Sequence, residues 1–567
     1  MLGADPQTDG VVFSCFCSTT ERCFVRLKSG DHRLEPLGDG IFETLVRGVE
    51  PGTSYMFVLD DRELPDPYAR FLPHGVHGPA QVVKSTHRWR SEAAPRPIRE
   101  QVIYELHVGA FTARGTYLSA AERLPDLVRL GVTTIELMPV SAFAGDRGWG
   151  YDGVAHFAPF APYGTPDELR EFVDTAHELG LLVLLDVVYN HFGPAGNYLR
   201  QYSPKYFTSA IATPWGEAPD YSHPMMRRYV LDNARYWLED FRFDGLRLDA
   251  IQHIVDHSDR HIIRELSDQV KRLKPEKLLI AETDECDASV VTALGCDALW
   301  ADDFHHQLHV TLTGEKDGYY RAFAPGVQGI AEVIEAGWLR ASAAAELAAE
   351  RFVFCIQNHD QIGNRALGDR LSSAVSLEAY VAASALLLLL PMTPLLFMGQ
   401  EWATSSPFLY FTDHDPALGA QIRRGRREEF KGFLAFTEAA ARERIPDPQA
   451  LETFDASRLN WEERDEPTHH GTLELYRELL ALRRTDPVLS RATRQNLRVE
   501  ARGDVLLVRI EGAFGVRLLL VNFGKRPVSL QELGVAEDRW QKMMSTRDSP
   551  HGLPSECALL LSPSPAV

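Results

Sequence analysis

Hydrophobic positions follow two different patterns along the chain. In residues 1–90 they form short runs separated by Gly- and Pro-containing turns, at residues 11–17, 23–27, 41–47 and 54–59. Runs of this length between turn residues are typical of antiparallel strands. We therefore predict an N-terminal β-sandwich over residues 1–90.

From residue 102 onward, unbroken apolar runs alternate with amphipathic segments. One unit shows the pattern: Thr165 to Glu168 has the sequence of a capping box with Pro166 at the first helical position, and Gly180 ends the helix. The apolar run at residues 181–185 is typical of a strand that is covered on both faces. Repeated units of this kind predict a parallel sheet with helices around it.

Apolar runs of this type recur eight times, and eight is the number of strands in a closed (β/α)8 barrel. The predicted barrel strands are residues 102–106, 134–138, 181–188, 245–248, 278–281, 298–300, 352–356 and 393–398. We therefore predict an α/β fold with a TIM barrel over residues 98–486. Residues 487–567, with apolar runs at 505–510, 516–522 and 558–561, are predicted to form a C-terminal antiparallel β domain.

One apolar stretch, residues 379–398, is about long enough to cross a bilayer. Pro391 and Pro394 divide it, so we predict a buried helix followed by the last barrel strand. This interpretation excludes a membrane span.

The amino-acid composition limits which binding partners and which cellular compartment we expect for this chain. The 567 residues carry 79 acidic and 59 basic side chains, a formal net charge of −20. A chain this acidic is poorly suited to nucleic acid or anionic membranes, which require a basic surface. The seven cysteines lack the paired spacing of a zinc or redox site, and no secretory leader is visible. We expect a cytoplasmic protein without nucleic acid or membrane partners.

Acidic residues follow three of the predicted barrel strands. Asp249 follows the fourth, Glu282 the fifth, and Asp360 lies just after the seventh, at the end of the barrel where reactive groups gather. Arg247 lies two residues before Asp249 on one strand, so both side chains point to the same side and the guanidinium favours an ionised carboxylate. Three converging carboxyls can divide the roles of nucleophile, acid and charge stabiliser in glycosidic cleavage.

Four short motifs occur at successive predicted strands. They are DVVYNH at 186–191, GLRLDA at 245–250, LIAE at 279–282 and QNHD at 357–360. Together they resemble the α-amylase superfamily, glycoside hydrolase family thirteen. The resemblance implies a retaining mechanism in which Asp249 is the nucleophile, Glu282 acts first as acid and then as base, and Asp360 stabilises the transition state.

The same resemblance implies contacts to the glucose that bears the scissile bond. Arg247, His191 and His359 match the family's sugar contacts, and Tyr151 in the sequence WGYD matches its stacking tyrosine. Tyr151 could instead be an aromatic residue that packs a loop. Asp186 could contact substrate, but we favour a structural role in which it anchors Arg247 or the loops.

Two features could indicate a metal. Asn190 matches a calcium ligand of many amylases, but the acidic loop that would complete such a site is not recognisable. The segment DDFHHQLH at 302–309 has metal-ligand residue types, and His305 and His309 would share a face if the segment were helical. We interpret it as a polar loop that lines a sugar cleft, and we expect no metal and no cofactor.

Longer segments at 186–199, 213–221, 299–320 and 397–414 resemble one subfamily, the malto-oligosyltrehalose trehalohydrolases. The resemblance covers essentially the whole chain, including an N-terminal module like a carbohydrate-binding module. It implies hydrolysis of the α-1,4 bond between a maltooligosaccharide and a terminal trehalose, with a maltooligosyl trehalose synthase as functional partner. Trp215, Trp402 and Phe408 could stack on such a substrate or could pack in the core.

Two other functions stay open at this point. A 1,4-α-glucan branching enzyme resembles the chain in its N-terminal module and barrel, and it transfers the glycosyl group to another glucan instead of to water. A non-catalytic glycan-binding scaffold is the second alternative. Such a scaffold has no physical reason to keep three carboxyls and Arg247.

Overall fold

The computed structural model describes residues 1–213, 216–285, 287–339, 347–547 and 552–565. The first part of the chain forms the strands β1 (Gly3–Pro6), β2 (Gly10–Phe16), β3 (Cys23–Leu27), β4 (Gly30–Arg33), β5 (Glu35–Gly38), β6 (Ile41–Arg47), β7 (Ser54–Leu59), β8 (Arg62–Leu64) and β9 (Ala80–Gln81). One antiparallel sheet has the order β1-β2-β6-β5, and the other has the order β4-β3-β7-β8 with β9 beside β7. Phe13 of the first sheet and Phe57 of the second belong to one buried cluster. The predicted N-terminal β-sandwich is confirmed.

The middle of the chain closes into a barrel. The strands in this part of the chain are β10 (Ile103–Leu106), β11 (Thr134–Leu137), β12 (Ser141–Ala142), β13 (Ala155–Pro159), β14 (Leu182–Val187), β15 (Phe207–Thr213), β16 (Gly216–Pro219), β17 (Gly245–Leu248), β18 (Leu278–Ala281), β19 (Ala298–Trp300), β20 (Phe352–Cys355) and β21 (Thr393–Phe397). The closed barrel has the order β10-β11-β14-β17-β18-β19-β20-β21, with parallel neighbours throughout. Each strand overlaps one of the eight predicted runs, so the predicted barrel is confirmed. The short pairs β12/β13 and β15/β16 were not predicted.

Helices cover the outside of the barrel and fill its loops. They are α1 (Val108–Phe111), α2 (Tyr117–Ala121), α3 (Leu124–Leu130), α4 (Pro166–Glu178), α5 (Leu199–Tyr202), α6 (Pro224–Asp240), α7 (Ile262–Leu273), α8 (Ser289–Thr292), α9 (Asp303–Thr313), α10 (Val327–Ala336), α11 (His359–Gly363), α12 (Leu371–Ala374), α13 (Leu377–Leu389), α14 (Pro416–Glu429), α15 (Ala439–Arg442), α16 (Leu451–Ala456) and α17 (Pro467–Thr485). Helix α4 begins with the predicted capping box, in which Thr165 Oγ1 accepts from the Glu168 N–H at 3.3 Å and Glu168 Oε2 accepts from the Thr165 N–H at 2.6 Å.

The long apolar stretch divides as predicted into helix α13 and strand β21. All residues of α13 from Ala379 to Leu389 are buried. Among the helices that the structure describes, none is both long and apolar enough to cross a membrane.

The end of the chain forms a five-stranded antiparallel sheet. Its strands are β22 (Leu497–Arg502), β23 (Val505–Gly512), β24 (Gly515–Asn522), β25 (Trp540–Ser545) and β26 (Cys557–Pro563), in the order β22-β23-β24-β26-β25. Side chains alternate between two cores, because Leu506 and Val508 belong to the large cluster that contains the barrel helices, whereas Leu507 belongs to a separate cluster on the other face. The predicted C-terminal β domain is confirmed.

One prediction in the barrel is wrong. Residues 303–313 form helix α9 instead of a polar loop, because Phe304 and Leu308 lie at helical spacing and are fully buried. His305 Nδ1 donates to the Ile356 carbonyl at 2.8 Å, and His309 Nε2 lies 2.8 Å from Glu315 Oε2. Within the described part of the chain, no group of three or more His, Cys, Asp or Glu side chains is arranged to hold a metal ion.

Candidate active site

A layer of charged side chains lies inside the barrel. Strand register pairs Glu105 of β10 with Glu136 of β11, and Asp186 of β14 with Arg247 of β17. All four are buried, and Arg247 NH1 donates to Asp186 Oδ2 at 2.8 Å. Glu136 accepts no hydrogen bond at either oxygen within the described residues, and burial raises its pKa well above the usual value. The paired members of the layer, Glu105, Asp186 and Arg247, fix the positions of the side chains that lie above them. Glu105 and Glu136 were missed from the sequence, although an acid inside a short apolar run is a visible signal.

Arg247 connects the two carboxylates that follow β17 and β18. Its NH1 donates to Asp249 Oδ1 at 3.0 Å, and its NH2 lies 2.9 Å from Glu282 Oε2. The predicted convergence of Asp249, Glu282 and Asp360 is observed, because all three line one cavity of about 500 Å³. Asp249 and Glu282 therefore contact two different nitrogens of a single guanidinium.

Asp249 is held by donors at both carboxylate oxygens. Besides Arg247 at Oδ1, Asn190 Nδ2 donates to Asp249 Oδ2 at 2.7 Å and to the Asp249 carbonyl at 2.8 Å. The next residue, Ala250, has a left-handed backbone with φ of 38°, which turns the chain sharply after the carboxylate. Asn190 was considered from the sequence only as a metal ligand. The structure shows that it positions Asp249.

Glu282 is buried to nearly the same degree as Asp249. Burial raises the pKa of Glu282 well above its usual value; Arg247 opposes this, and the nearby Asp249 and Asp360 charges add to it. Glu282 Oε2 accepts from the Ala250 N–H at 2.8 Å. A carboxyl whose pKa is raised in this way is suited to the role of proton donor in acid-assisted glycosidic cleavage.

His359 joins the charged layer to the cavity. Its Nδ1 donates to Glu105 Oε1 at 2.5 Å, its Nε2 lies 2.8 Å from the Tyr151 hydroxyl, and that hydroxyl donates to Asp186 Oδ2 at 2.7 Å. Burial opposes protonation of His359, but Glu105 and Asp360 raise its pKa to about 10. His359 is therefore an imidazolium at neutral pH that donates a hydrogen bond at each nitrogen.

Asp360 lies in the first turn of α11 and is the most exposed of the three acids. Its side chain is 38% exposed, against 11% for Asp249 and 13% for Glu282. Asn364 Nδ2 donates to Asp360 Oδ1 at 3.1 Å. His359 Nε2 lies 3.5 Å from the same oxygen, and the exposed part of the Asp360 carboxylate is open to a sugar that enters the cavity.

The structure places the remaining predicted residues in three different environments. Tyr151 and His191 line the cavity, whereas Asp186 is buried beneath it and contacts Arg247 and Tyr151. Trp215 lies outside the described residues. Trp402 and Phe408 pack in the core, at 1% and 0% exposure, so of the two roles left open by the sequence the structure shows core packing. Both residues lie in the segment that follows β21, the last barrel strand, and this segment folds back onto apolar side chains.

Several cavity residues were not singled out as sugar contacts. Asp302 faces Glu282 and Asp360 from the end of β19, and burial together with Asp360 raises its pKa to about 7. Tyr410 and the Arg147–Asp413 ion pair, at 3.0 Å, form another part of the wall. They come from loops whose sequences carry no periodic signal.

Comparison with known proteins gives a consistent result. Residues 97–210 match the family described as alpha amylase, catalytic domain. The chain is 50% identical over 553 residues to the malto-oligosyltrehalose trehalohydrolase of Deinococcus radiodurans, covering 94% of this chain and 91% of that protein. A crystal structure of a candidate alpha amylase from Salmonella typhimurium superposes with a TM-score of 0.90 at 36% identity and covers 99% of both chains.

A branching enzyme shares a shorter segment with the chain. The 1,4-alpha-glucan branching enzyme GlgB of Rhodospirillum rubrum is 34% identical over 291 residues, which covers 45% of this chain and 39% of that protein.

Proposed function

This chain belongs to the malto-oligosyltrehalose trehalohydrolase family, and from that premise we propose that it cleaves the α-1,4-glucosidic bond next to the terminal trehalose of maltooligosyl trehalose. The products are trehalose and a maltooligosaccharide. The observation that supports this chemistry best is the placement of Asp249 and Glu282 on one guanidinium inside a cavity of about 500 Å³.

The first step breaks the glycosidic bond. A carboxylate oxygen of Asp249 attacks the anomeric carbon while Glu282 gives its proton to the glycosidic oxygen, so trehalose leaves as a neutral alcohol. Asn190 and Arg247 hold Asp249 in place for the attack. Asp360 faces the positive charge that develops on the sugar ring.

The second step releases the maltooligosaccharide. Glu282, now ionised, accepts a proton from a water molecule whose oxygen attacks the anomeric carbon, and the ester bond to Asp249 breaks. Two displacements leave the new reducing end in the α configuration. Tyr151, His191 and His359 line the cavity and hold the sugar ring. Arg247, whose side chain is 0% exposed, acts through Asp249 and Glu282, and Asp186 acts through Arg247 and Tyr151.

The loops around the cavity supply the selectivity for trehalose in this proposal. Uncharged sugars are bound by hydrogen bonds and by apolar contact with aromatic rings, and both are available in the wall formed by Tyr410, Arg147 and Asp413. Because such a substrate needs a reducing end already converted to trehalose, a synthase that makes maltooligosyl trehalose must act first. We place both enzymes in the cytoplasm.

Product analysis tests this function. The purified protein is incubated with maltotriosyltrehalose and, separately, with maltopentaose, and the products are separated by chromatography. We expect free trehalose and maltotriose from the first substrate and little attack on the second. Comparable cleavage of both would indicate a general amylase, and longer branched products from amylose would indicate a branching enzyme.

Three variants connect the activity to the proposed residues. Asp249→Ala should abolish hydrolysis, and Glu282→Gln should bind maltotriosyltrehalose while turnover falls by at least about a thousandfold. The exposed Asp360 is the third site, and Asp360→Asn should lower kcat more than it raises KM. Undiminished hydrolysis by the Asp249 variant would refute the nucleophile assignment.

A further inference from the structure

A cavity rich in arginine lies on the face of the barrel opposite the active site. It has a volume of about 680 Å³, and its lining includes Val102 and Thr133, which immediately precede β10 and β11, and Pro391, which lies just before β21. The catalytic residues lie beyond the other ends of the barrel strands. The two cavities are therefore separated by the length of the barrel.

The charge of this cavity contrasts with that of the whole chain. The lining contains five arginines against two glutamates, in a protein whose formal net charge is −20. The arginines are Arg96, Arg99, Arg483, Arg484 and Arg491, and the glutamates are Glu100 and Glu350. A local surplus of three positive charges persists although acidic side chains are abundant elsewhere.

Four of these arginines have no acidic partner in the described part of the chain. Arg96, Arg99, Arg484 and Arg491 make no ion pair within 4.0 Å of a carboxylate there. Arg491 stacks over the ring of Phe514, with its guanidinium carbon 4.2 Å from the ring centroid. Stacking orients a guanidinium while its N–H groups stay available in the plane for an anion.

Arg483 forms part of the cavity wall and has a structural function. Its NH1 donates to the Leu388 carbonyl at 3.1 Å and also to the Leu390 carbonyl, and its NH2 donates to the Met392 carbonyl at 2.7 Å. Burial lowers the pKa of Arg483 to about 10, so the group is still charged at neutral pH. A buried cation bound only to carbonyls leaves a positive potential that an anion in the cavity would neutralise.

We propose that this cavity binds a small organic phosphate through the side chains of Arg96, Arg99, Arg484 and Arg491. Arginine presents a planar set of N–H donors that matches the oxygens of a phosphate group, and several arginines facing one space favour a multiply charged anion. Thr133, Ser490 and Thr493 also line the cavity. Their hydroxyls donate within the chain, to the Val102 carbonyl, the Asp486 carbonyl and Asn496 Oδ1, so each can serve a sugar or ribose as an acceptor. The volume is in the usual range for sites of small organic ligands, so the ligand is larger than inorganic phosphate.

Calorimetric titration of the full chain at low salt tests the proposal with four probes. Glucose 6-phosphate and ATP represent the two sources of an organic phosphate, pyrophosphate represents an inorganic anion, and glucose represents the uncharged sugar. We expect at least one organic phosphate to bind more tightly than pyrophosphate, and glucose not to bind. Whichever organic phosphate binds more tightly identifies the source as a sugar phosphate or a nucleotide.

A triple variant and a matched control localise the binding. R99Q/R484Q/R491Q removes three charges from the cavity, and R88Q/R424Q/R539Q removes three charges from exposed arginines elsewhere. We expect the first set to weaken binding at least tenfold and the second to change it less than twofold, with hydrolysis of maltotriosyltrehalose unchanged in both. Equal binding by the two variants, or binding of pyrophosphate alone by the intact protein, overturns the proposal.

Discussion

At the scale of single residues, Arg247 organises the chemistry because one buried guanidinium contacts three carboxylates. Asp186, Asp249 and Glu282 all lie within 3.0 Å of its terminal nitrogens. Loss of one partner in such a buried group leaves uncompensated charge, which costs much more than the net strength of the pair. The planar fork therefore fixes the position of the catalytic pair.

The first prediction tests that geometry. Arg247→Lys keeps the charge but replaces a planar fork with a point charge, so it cannot contact Asp249 and Glu282 together. We expect kcat to fall by about 100-fold or more, while the protein stays folded. Single-turnover kinetics with maltotriosyltrehalose measure the effect. Arg424→Lys on the exposed face of α14 is the control and should leave kcat unchanged.

The second prediction concerns the pH profile. Glu282 must carry its proton to act as acid, so activity is present below its pKa and is lost as pH rises through it. Burial, followed by the nearby carboxylates Asp249, Asp360 and Asp302, raises that pKa. Asp302→Asn removes one negative charge and should therefore move the alkaline limb of kcat/KM to lower pH.

Asp413→Asn is the control for this pH experiment. Asp413 lines the same cavity but is not among the groups that raise the pKa of Glu282. The alkaline limb of the kcat/KM profile of the Asp413 variant should coincide with that of the unmodified protein. An alkaline limb that stays in place in the Asp302 variant would show that the charge of Asp302 does not act on Glu282.

At the scale of secondary structure, the sequence was sufficient where one physical pattern dominated. All eight barrel strands were predicted because strands covered on both faces read as unbroken apolar runs. Helix α9 was missed because its buried Phe304 and Leu308 are separated by histidines, whose hydrogen bonds to Ile356 and Glu315 appear only after folding.

The same contrast applies to the active site. Asp249, Glu282 and Asp360 could be located because strand ends meet at one rim of the barrel and the surrounding motifs are recognisable. The positioning role of Asn190 and the link from Glu105 to His359 could not, because each depends on contacts between segments far apart in the sequence. The local sequence pattern identifies the strands and helices. The roles of residues that position the catalytic groups depend on packing between distant segments.

The third prediction concerns the close packing of α11, which carries Asp360. A Cβ at Gly363 would lie 2.1 Å from Cζ2 of Trp149, whose Nε1 donates to the Leu409 carbonyl at 3.0 Å. Gly363→Ala must therefore shift either the helix or the indole beside His359. We expect a fall in kcat/KM of at least about tenfold, since small displacements of catalytic groups are costly.

Gly425→Ala is the matched control for this prediction. Gly425 lies within α14, and a Cβ there meets no atom within 4 Å. Alanine is favoured over glycine inside a helix by about 1 kcal/mol, so this variant should be as active as the unmodified protein and slightly more stable. Equal kcat/KM for both alanine variants would mean that α11 accommodates the extra atom without moving Asp360.

At the scale of the whole molecule, the hydrophobic cores decide which parts unfold together. The large cluster contains barrel residues such as Leu137 and Leu386 together with Leu506 and Val508 of the C-terminal sheet. The N-terminal sandwich has its own cluster around Phe13 and Phe57. We therefore expect the barrel and the C-terminal sheet to unfold in a single calorimetric transition.

The fourth prediction uses two adjacent residues of β23 that face opposite directions. Val508 is fully buried against the barrel helices, whereas Arg509 is exposed. Val508→Asn places an amide in an apolar core and should lower the free energy of unfolding by about 3 kcal/mol, whereas Arg509→Asn should change it by at most about 0.5 kcal/mol. Differential scanning calorimetry should show the main transition of the Val508 variant moving down by several degrees as a unit. If only a minor transition moved, the sheet would be an independent folding unit, and the shared core would not couple it to the barrel.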